Sequence, residues 1–296
     1  MGDLEDILAA CEGTLGPRDG EPSPLQGGIT NRNFRARLGG SDYVVRVHGA
    51  NTDLLGIDRE SERLAVRAAA ELGIGPELMA APPGGLVTRF VDCAGLEPAG
   101  VAARIEEVAT AVRSFHDCGL QLPSAFSVPQ LLEEYGEIVR AHGRGLPADF
   151  GDTLALVQRV VAAMPPAEPR PCHNDLLAGN IIHAVAEDRV MLVDWEYAGM
   201  GDAFFDLGNL AVNNELDADG EERLLAAYLG RAPSDSERAA LRLARILSDA
   251  REAGWGIVQA AVSELEFDFD SYGGEHLERM WEAARSPEFE ELLATA

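Results

Sequence analysis

An α+β fold of two lobes, a small β-rich N-lobe followed by a large, mostly helical C-lobe, is what three features of the sequence predict. The chain has 296 residues, more than one hydrophobic core usually serves. Two short β-type runs, NFRARL and DYVVRV, stand within the first fifty residues. From residue 99 onward the apolar spacing becomes helical. The division falls at residues 1–92 and 93–296.

Taken in order, the elements begin with an amphipathic helix near residues 3 to 11. NFRARL and DYVVRV follow, joined by Gly39, Gly40 and Ser41, which supply a tight hairpin turn. Residues 57 to 73 place Leu64, Ala68 and Leu72 on one helical stripe. They stop at Gly73, with Gly75 and Pro76 beyond. GLVTRFV reads as a strand, and the Gly/Pro-containing DCAGLEPAG after it reads as the connector between lobes. Helical spacing then covers 99 to 118, 128 to 141, 151 to 164, 218 to 229, 235 to 263 and 273 to 283. Between them, Ile181 and Ile182 face Met191 to Val193 as a short hairpin.

Charge narrows the partners. The formal net charge is -26, and phosphate-backbone binding needs a concentrated basic surface, so no nucleic-acid partner is expected and cationic ligands suit the chain better. All 24 basic residues are arginine. No lysine can anchor a phosphate or form a Schiff base. Cys11, Cys93, Cys118 and Cys172 lack metal-ligand spacing and read as reduced thiols of a cytoplasmic protein. The acidic start has neither a secretory signal pattern nor an acylation motif, and no apolar run approaches about 18 residues, so no membrane association is expected.

The chemistry-bearing stretch is CHNDLLAGNIIHAVAEDRVMLVDWEYAG, residues 172 to 199. His173, Asp175 and Asn180 reproduce the H-x-D-x-x-x-x-N spacing of a kinase catalytic loop, and Asp194 follows the apolar run VMLV, where a metal-binding Asp belongs. A carboxylate at 175 can accept the proton of a substrate hydroxyl. The amide oxygen of Asn180 and the carboxylate of Asp194 are hard donors suited to Mg²⁺. The competing reading is a buried loop whose Asp and Asn cap neighbouring backbone groups.

HNDLLAGN with VDWEYAG and FFDLGNL resembles the choline/ethanolamine kinase branch of the aminoglycoside-phosphotransferase-like superfamily, a protein-kinase-like fold. GGITNRNF, residues 27 to 34, resembles that branch's phosphate loop, and WGIVQAAVSELEFDFDSY, residues 255 to 272, resembles its C-terminal substrate helix. The resemblance implies ATP and Mg²⁺ as cofactors. It makes Asp175 the catalytic base, Asn180 and Asp194 the metal ligands, and His173 an orienting member of the loop. Gly27, Gly28, Thr30 and Asn31 would face the ATP phosphates, although GG alone can be an ordinary turn. Arg46 stands where kinases carry a strand lysine, with Glu62 as its partner. Both can also be solvated surface charges. Phe90, Val91 and Asp92 would meet adenine through their backbone.

On the substrate side the resemblance points to Glu196, Trp255 and Tyr272 beside Asp175, with the two aromatics enclosing a quaternary ammonium by cation–π contact. Helix-core packing is the alternative for Trp255. One departure stands out: many choline kinases carry an aromatic residue three positions before this Trp, whereas this chain has Glu252. Glu252 either binds an ammonium, favouring a primary amine that has N–H to donate, or pairs with Arg251 or Arg242. The expected activity is phosphorylation of a cationic alcohol, choline or ethanolamine above all. An antibiotic kinase and a catalytically silent binding protein are the rivals.

Overall fold

The computed structural model describes residues 3–25 and 31–296. Helix α1 (Leu4–Leu15) is capped by the Asp3 side chain, which accepts from Glu5 N–H, and buries Ile7, Leu8 and Cys11. It lies on a five-stranded antiparallel sheet of β1 (Ser23–Leu25), β2 (Arg32–Leu38), β3 (Ser41–Val47), β4 (Leu78–Ala80) and β5 (Gly85–Arg89), in the order β1-β2-β3-β5-β4. The predicted hairpin is β2/β3, with Leu38 paired to Ser41. Its two loop residues, Gly39 and Gly40, take φ of +55° and +81°, the left-handed pair that a two-residue turn matching strand twist requires. Helix α2 (Arg59–Glu71) fills the predicted 57 to 73 span. Asp58 caps it through Ser61 N–H, and Gly73, at φ +74°, follows its end.

The connector carries a strand the sequence did not announce. β6 (Cys93–Gly95) pairs with β8 (Ile181–Ala184), which in turn pairs with β9 (Arg189–Leu192). A two-stranded ribbon joins β7 (Arg170–Cys172) to β10 (Gly199–Gly201). The helix expected over 99 to 118 is two: α3 (Pro98–Ala103) ends at Arg104, whose backbone at φ -113°, ψ 22° breaks the helical path before α4 (Ile105–His116). Helices α5 (Val128–Ala141) and α6 (Phe150–Ala163) follow. Helix α7 (Ala203–Asn213) was not foreseen, because nearly all of its positions are buried and it has no polar stripe to give it a period. Helices α8 (Ala218–Leu229), α9 (Asp235–Val262), α10 (Phe269–Ala284) and α11 (Phe289–Thr295) complete the chain. A capping box of Ser234 and Glu237 starts α9.

The result is a small antiparallel sheet followed by a large helical part, as the composition of elements predicted. The main core crosses between the two: Ala65, Val66, Ala69 and Leu86 pack with Val108, Leu192, Trp195 and Leu207. Among the described residues no helix is long and apolar enough to cross a membrane. Helix α9 acts as the hub, with α7 and α10 crossing it closely. A methyl group at Gly208 of α7 would lie 2.5 Å from the carbonyl carbon of Ala244 on α9. Gly208→Ala should therefore force the two helices apart and cost about 1–3 kcal/mol. Urea unfolding would measure it, and an unchanged midpoint would contradict this crossing.

Candidate active site

The loop that follows β7 is held by one buried carboxylate. Asp206, in the first turn of α7, accepts from the backbone N–H groups of His173 at 2.8 Å and Asn174 at 2.7 Å, and from His116 Nε2 at 2.8 Å. Burial alone would raise its pKa, but the His116 hydrogen bond and charge, with the loop amides, hold it below the usual carboxylate value. One turn on, Asn209 accepts from Leu176 N–H at 2.5 Å, and Asn214 donates to the Leu176 carbonyl at 2.9 Å. Asn174 takes φ +66°, a left-handed conformation that asparagine tolerates, and donates its amide to the Tyr197 carbonyl at 3.0 Å. Side chains thus hold the backbone N–H groups of His173, Asn174 and Leu176 and the Leu176 carbonyl.

Asp175 emerges from this loop. Its Oδ2 accepts from Asn180 Nδ2 at 2.8 Å, and the same amide reaches the Asp175 carbonyl, also at 2.8 Å. Its Oδ1 accepts from Arg251 Nη1 at 3.1 Å. Burial pushes the Asp175 carboxyl well above the usual range; Arg251 opposes the shift, and Glu252 and Asp194 add to it. His173 donates from Nε2 to the Val193 carbonyl at 3.0 Å, and its ring packs 4.4 Å from Trp195. Its contacts are those of a buried, backbone-bonded residue that ties the loop to the segment carrying Asp194. Burial pushes its pKa down.

Asp194 follows β9 at φ +65°, a strained setting for a non-glycine residue, costing about 1–3 kcal/mol. The neighbouring Val193 N–H donates to the Asn180 carbonyl at 2.9 Å, which sets the two predicted metal ligands side by side. A cavity of about 410 Å³ opens there, lined by Arg46, Glu62, Asn180 and Asp194 together with Phe90, Val91 and Asp92. Arg46 Nη1 is bonded to Asp194 and lies 3.3 Å from Glu62. Arg59, not foreseen, donates to Glu62 at 2.7 Å and lies 3.5 Å from Glu196. Asn31 Nδ2 donates to Glu196 Oε2 at 2.8 Å, so the strand side and the helical side are joined by alternating charges. Gly27, Gly28 and Thr30 lie outside the described residues.

The donor set fits a divalent cation. The Asn180 amide nitrogen is turned onto Asp175, which leaves its carbonyl oxygen for a ligand. Asp194 supplies a carboxylate to the same cavity. Burial, with the Asp194 charge next, pushes Glu196 well above the usual carboxylate range.

The remaining predicted residues gather on the other flank of Asp175. Glu252 is 2% exposed; its Oε1 takes Arg251 Nη1 at 2.7 Å and its Oε2 takes the Tyr272 hydroxyl at 2.8 Å. Glu252 thus makes the pairing with Arg251 that the sequence offered. Trp255 donates its indole N–H to the Tyr197 hydroxyl at 2.8 Å and packs edge-on to Phe269 and Tyr272. Its ring belongs to a buried apolar cluster, the helix-core alternative. Arg251 lies with its guanidinium 4.2 Å over the Tyr197 ring. Sequence reasoning named it only as a possible partner of Glu252. A charged residue inside a long helix reads as solvated unless both faces of that helix are known to be covered. The signal for Asp206 was available, since an Asp within the apolar FFDLGNL has to be satisfied by something buried.

A small antiparallel sheet set on a helical body, with its polar constellation at the junction, is the architecture of two-lobed small-molecule phosphotransferases. Residues 21–244 match the phosphotransferase enzyme family APH, and the chain belongs to that family. It is similar to probable choline kinase 1 of Arabidopsis thaliana, 24% identical over 305 residues covering 88% of this chain and 86% of that protein. It is also similar to probable ethanolamine kinase of Arabidopsis thaliana, 24% identical over 311 residues covering 92% and 78%. A solved choline/ethanolamine kinase family protein from Mesorhizobium loti superposes with a TM-score of 0.83 at 28% identity, covering 99% of each chain.

Removing the Asp206 carboxylate leaves two buried backbone donors unpaired, so Asp206→Ala should cost about 3 kcal/mol or more in urea unfolding. The sign of its pH dependence follows from the lowered pKa. The contribution is complete above the unfolded value of about 4 and is lost as pH falls through the still lower folded value. The stability gap between wild type and Asp206→Ala should therefore narrow as pH drops below about 4. A gap that stays constant would contradict the assignment.

Proposed function

We propose that this phosphotransferase is an ATP- and Mg²⁺-dependent kinase that phosphorylates the hydroxyl of a small amino alcohol, of the class to which choline and ethanolamine belong. The observation that carries the reading is the junction cavity. Arg46, Glu62, Asn180 and Asp194 meet there beside the backbone of Phe90 to Asp92, and Asn180 is bonded directly to Asp175. A space of that size suits a nucleotide. Similarity to probable choline and ethanolamine kinases along most of the chain supports an alcohol acceptor.

In this reading Asp175 orients the acceptor hydroxyl and takes its proton as the phosphoryl group arrives. A carboxyl raised by burial is the stronger base for that step. Asn180 and Asp194 hold Mg²⁺, which supplies charge neutralisation at the phosphates when bound. Arg46 steadies the triphosphate, with Glu62 and Arg59 holding its guanidinium in line. Asn31 is the described member of the phosphate loop, and its bond to Glu196 ties that loop to the metal side. We further propose the lobe division at residue 92, where the strand side ends and β6 begins to pair with β8, and we take the chain to work without nucleic acid.

The rival antibiotic kinase is tested by ADP release. Choline or ethanolamine should release more ADP than kanamycin, and the reverse ranking would transfer the assignment. Asp175→Ala should lower turnover by about 10²–10⁴-fold while nucleotide still binds, as read by calorimetry. Full activity in that variant would remove Asp175 from the chemistry.

A further inference from the structure

Arg251 is the least expected group beside the acceptor side. It sits in the interior of α9, 2% exposed, with its guanidinium stacked on Tyr197. Only one of its nitrogens is used. Nη1 serves both Asp175 and Glu252, while Nε and Nη2 are buried and without a hydrogen-bond partner among the described residues. A buried charged donor left unpaired is costly, and such groups mark a missing partner. The covalent geometry of the side chain makes the pattern specific. Nε–H and one Nη2–H point side by side along the same edge, the fork that receives a carboxylate or phosphate with two parallel hydrogen bonds.

The side of Asp175 on which this edge lies distinguishes the two oxyanions. Asn180, next to Asp194 and the junction cavity, holds Oδ2 of Asp175, whereas Arg251 holds Oδ1. The neighbours of Arg251 are Tyr197, Glu252 and, through Glu252, Tyr272. Arg251 therefore belongs to the acceptor flank rather than to the metal and phosphate flank. Asp175 keeps 12% of its side chain exposed beside it, which leaves the acceptor an approach. Two carboxylates, Asp175 and Glu252, stand against the one guanidinium on this flank, an arrangement that suits an ammonium.

We infer that the acceptor carries an anionic oxygen group as well as its ammonium, and that the free Nε/Nη2 edge of Arg251 receives it: the preferred substrate is a hydroxy amino acid rather than a carboxylate-free amino alcohol. This rests on the kinase reading above. It moves the preference away from choline, whose trimethylammonium group has nothing to offer that edge. Glu252, at the place of a family aromatic, is then the residue that holds Arg251 in position, not a ligand for the ammonium.

The test uses the wild-type protein with acceptors matched in length: serine against ethanolamine and serinamide, and homoserine against 3-aminopropanol, by coupled ADP release. Two charge-assisted hydrogen bonds predict kcat/KM at least tenfold higher for the carboxylate-bearing member of each set. Arg251→Gln should bring serine and homoserine down to the level of their carboxylate-free partners. Should that variant not fold, the wild-type ratios decide. Ethanolamine or choline equal to or better than the amino acids would overturn the inference and leave the kinase reading intact. A fall in kcat of Arg251→Gln that is the same for every acceptor would overturn it too, assigning the edge to the transferred phosphoryl group. If none of these alcohols is phosphorylated, the kinase reading and the inference fall together.

Discussion

One buried carboxylate sets the position of everything in this cleft. Asp206 takes two consecutive loop amides and an imidazole, and a carboxylate with that many donors is both well solvated by the protein and immobile. Because α7, which carries it, is packed between α9 and the ribbon of β7 and β10, the loop is referenced to the deepest part of the helical body and not to the surface. Asn209 and Asn214 extend the same device to Leu176. The placement of Asp175 thus depends on polar groups buried behind the loop.

From that fixed point two charge chains run outward. Toward the sheet, Asp194, Arg46, Glu62, Arg59 and Glu196 alternate in sign across the junction, and the Asn31 amide closes the series on Glu196. The strand side is therefore attached to the site by ion pairs and not by apolar packing alone. Toward α10, Asp175, Arg251, Glu252 and Tyr272 form a second chain, buried and closely packed. Buried pairs of this kind contribute little net stability against apolar replacements.

Much of this was legible in the sequence. Gly39–Gly40 demanded a hairpin, the helical spacing over 128 to 141 and 218 to 229 coincides with α5 and α8, and the offsets among His173, Asp175, Asn180 and Asp194 located the loop and its hairpin support. What escaped has a common cause. Period analysis detects a helix by the contrast between its faces, so α7, buried on nearly every side, gave no signal, and the break at Arg104 left the apolar spacing of α3 and α4 continuous. Side-chain pairing across distant segments is equally silent. Arg59 with Glu196 and Arg251 with Asp175 are separated by 137 and 76 positions. Trp255 reads in the sequence both as a ligand wall and as helix core, and its ring packs against Phe269 and Tyr272.

The rigidity of the loop is open to direct measurement by amide hydrogen exchange on the ligand-free protein. The N–H groups of His173, Asn174 and Leu176 donate to buried Asp206 and Asn209, so they should exchange only through opening close to the global unfolding free energy, as slowly as the amides of α7. Exchange of these three amides as fast as that of an exposed surface loop, with α7 still protected, would contradict the view that Asp206 fixes the cleft.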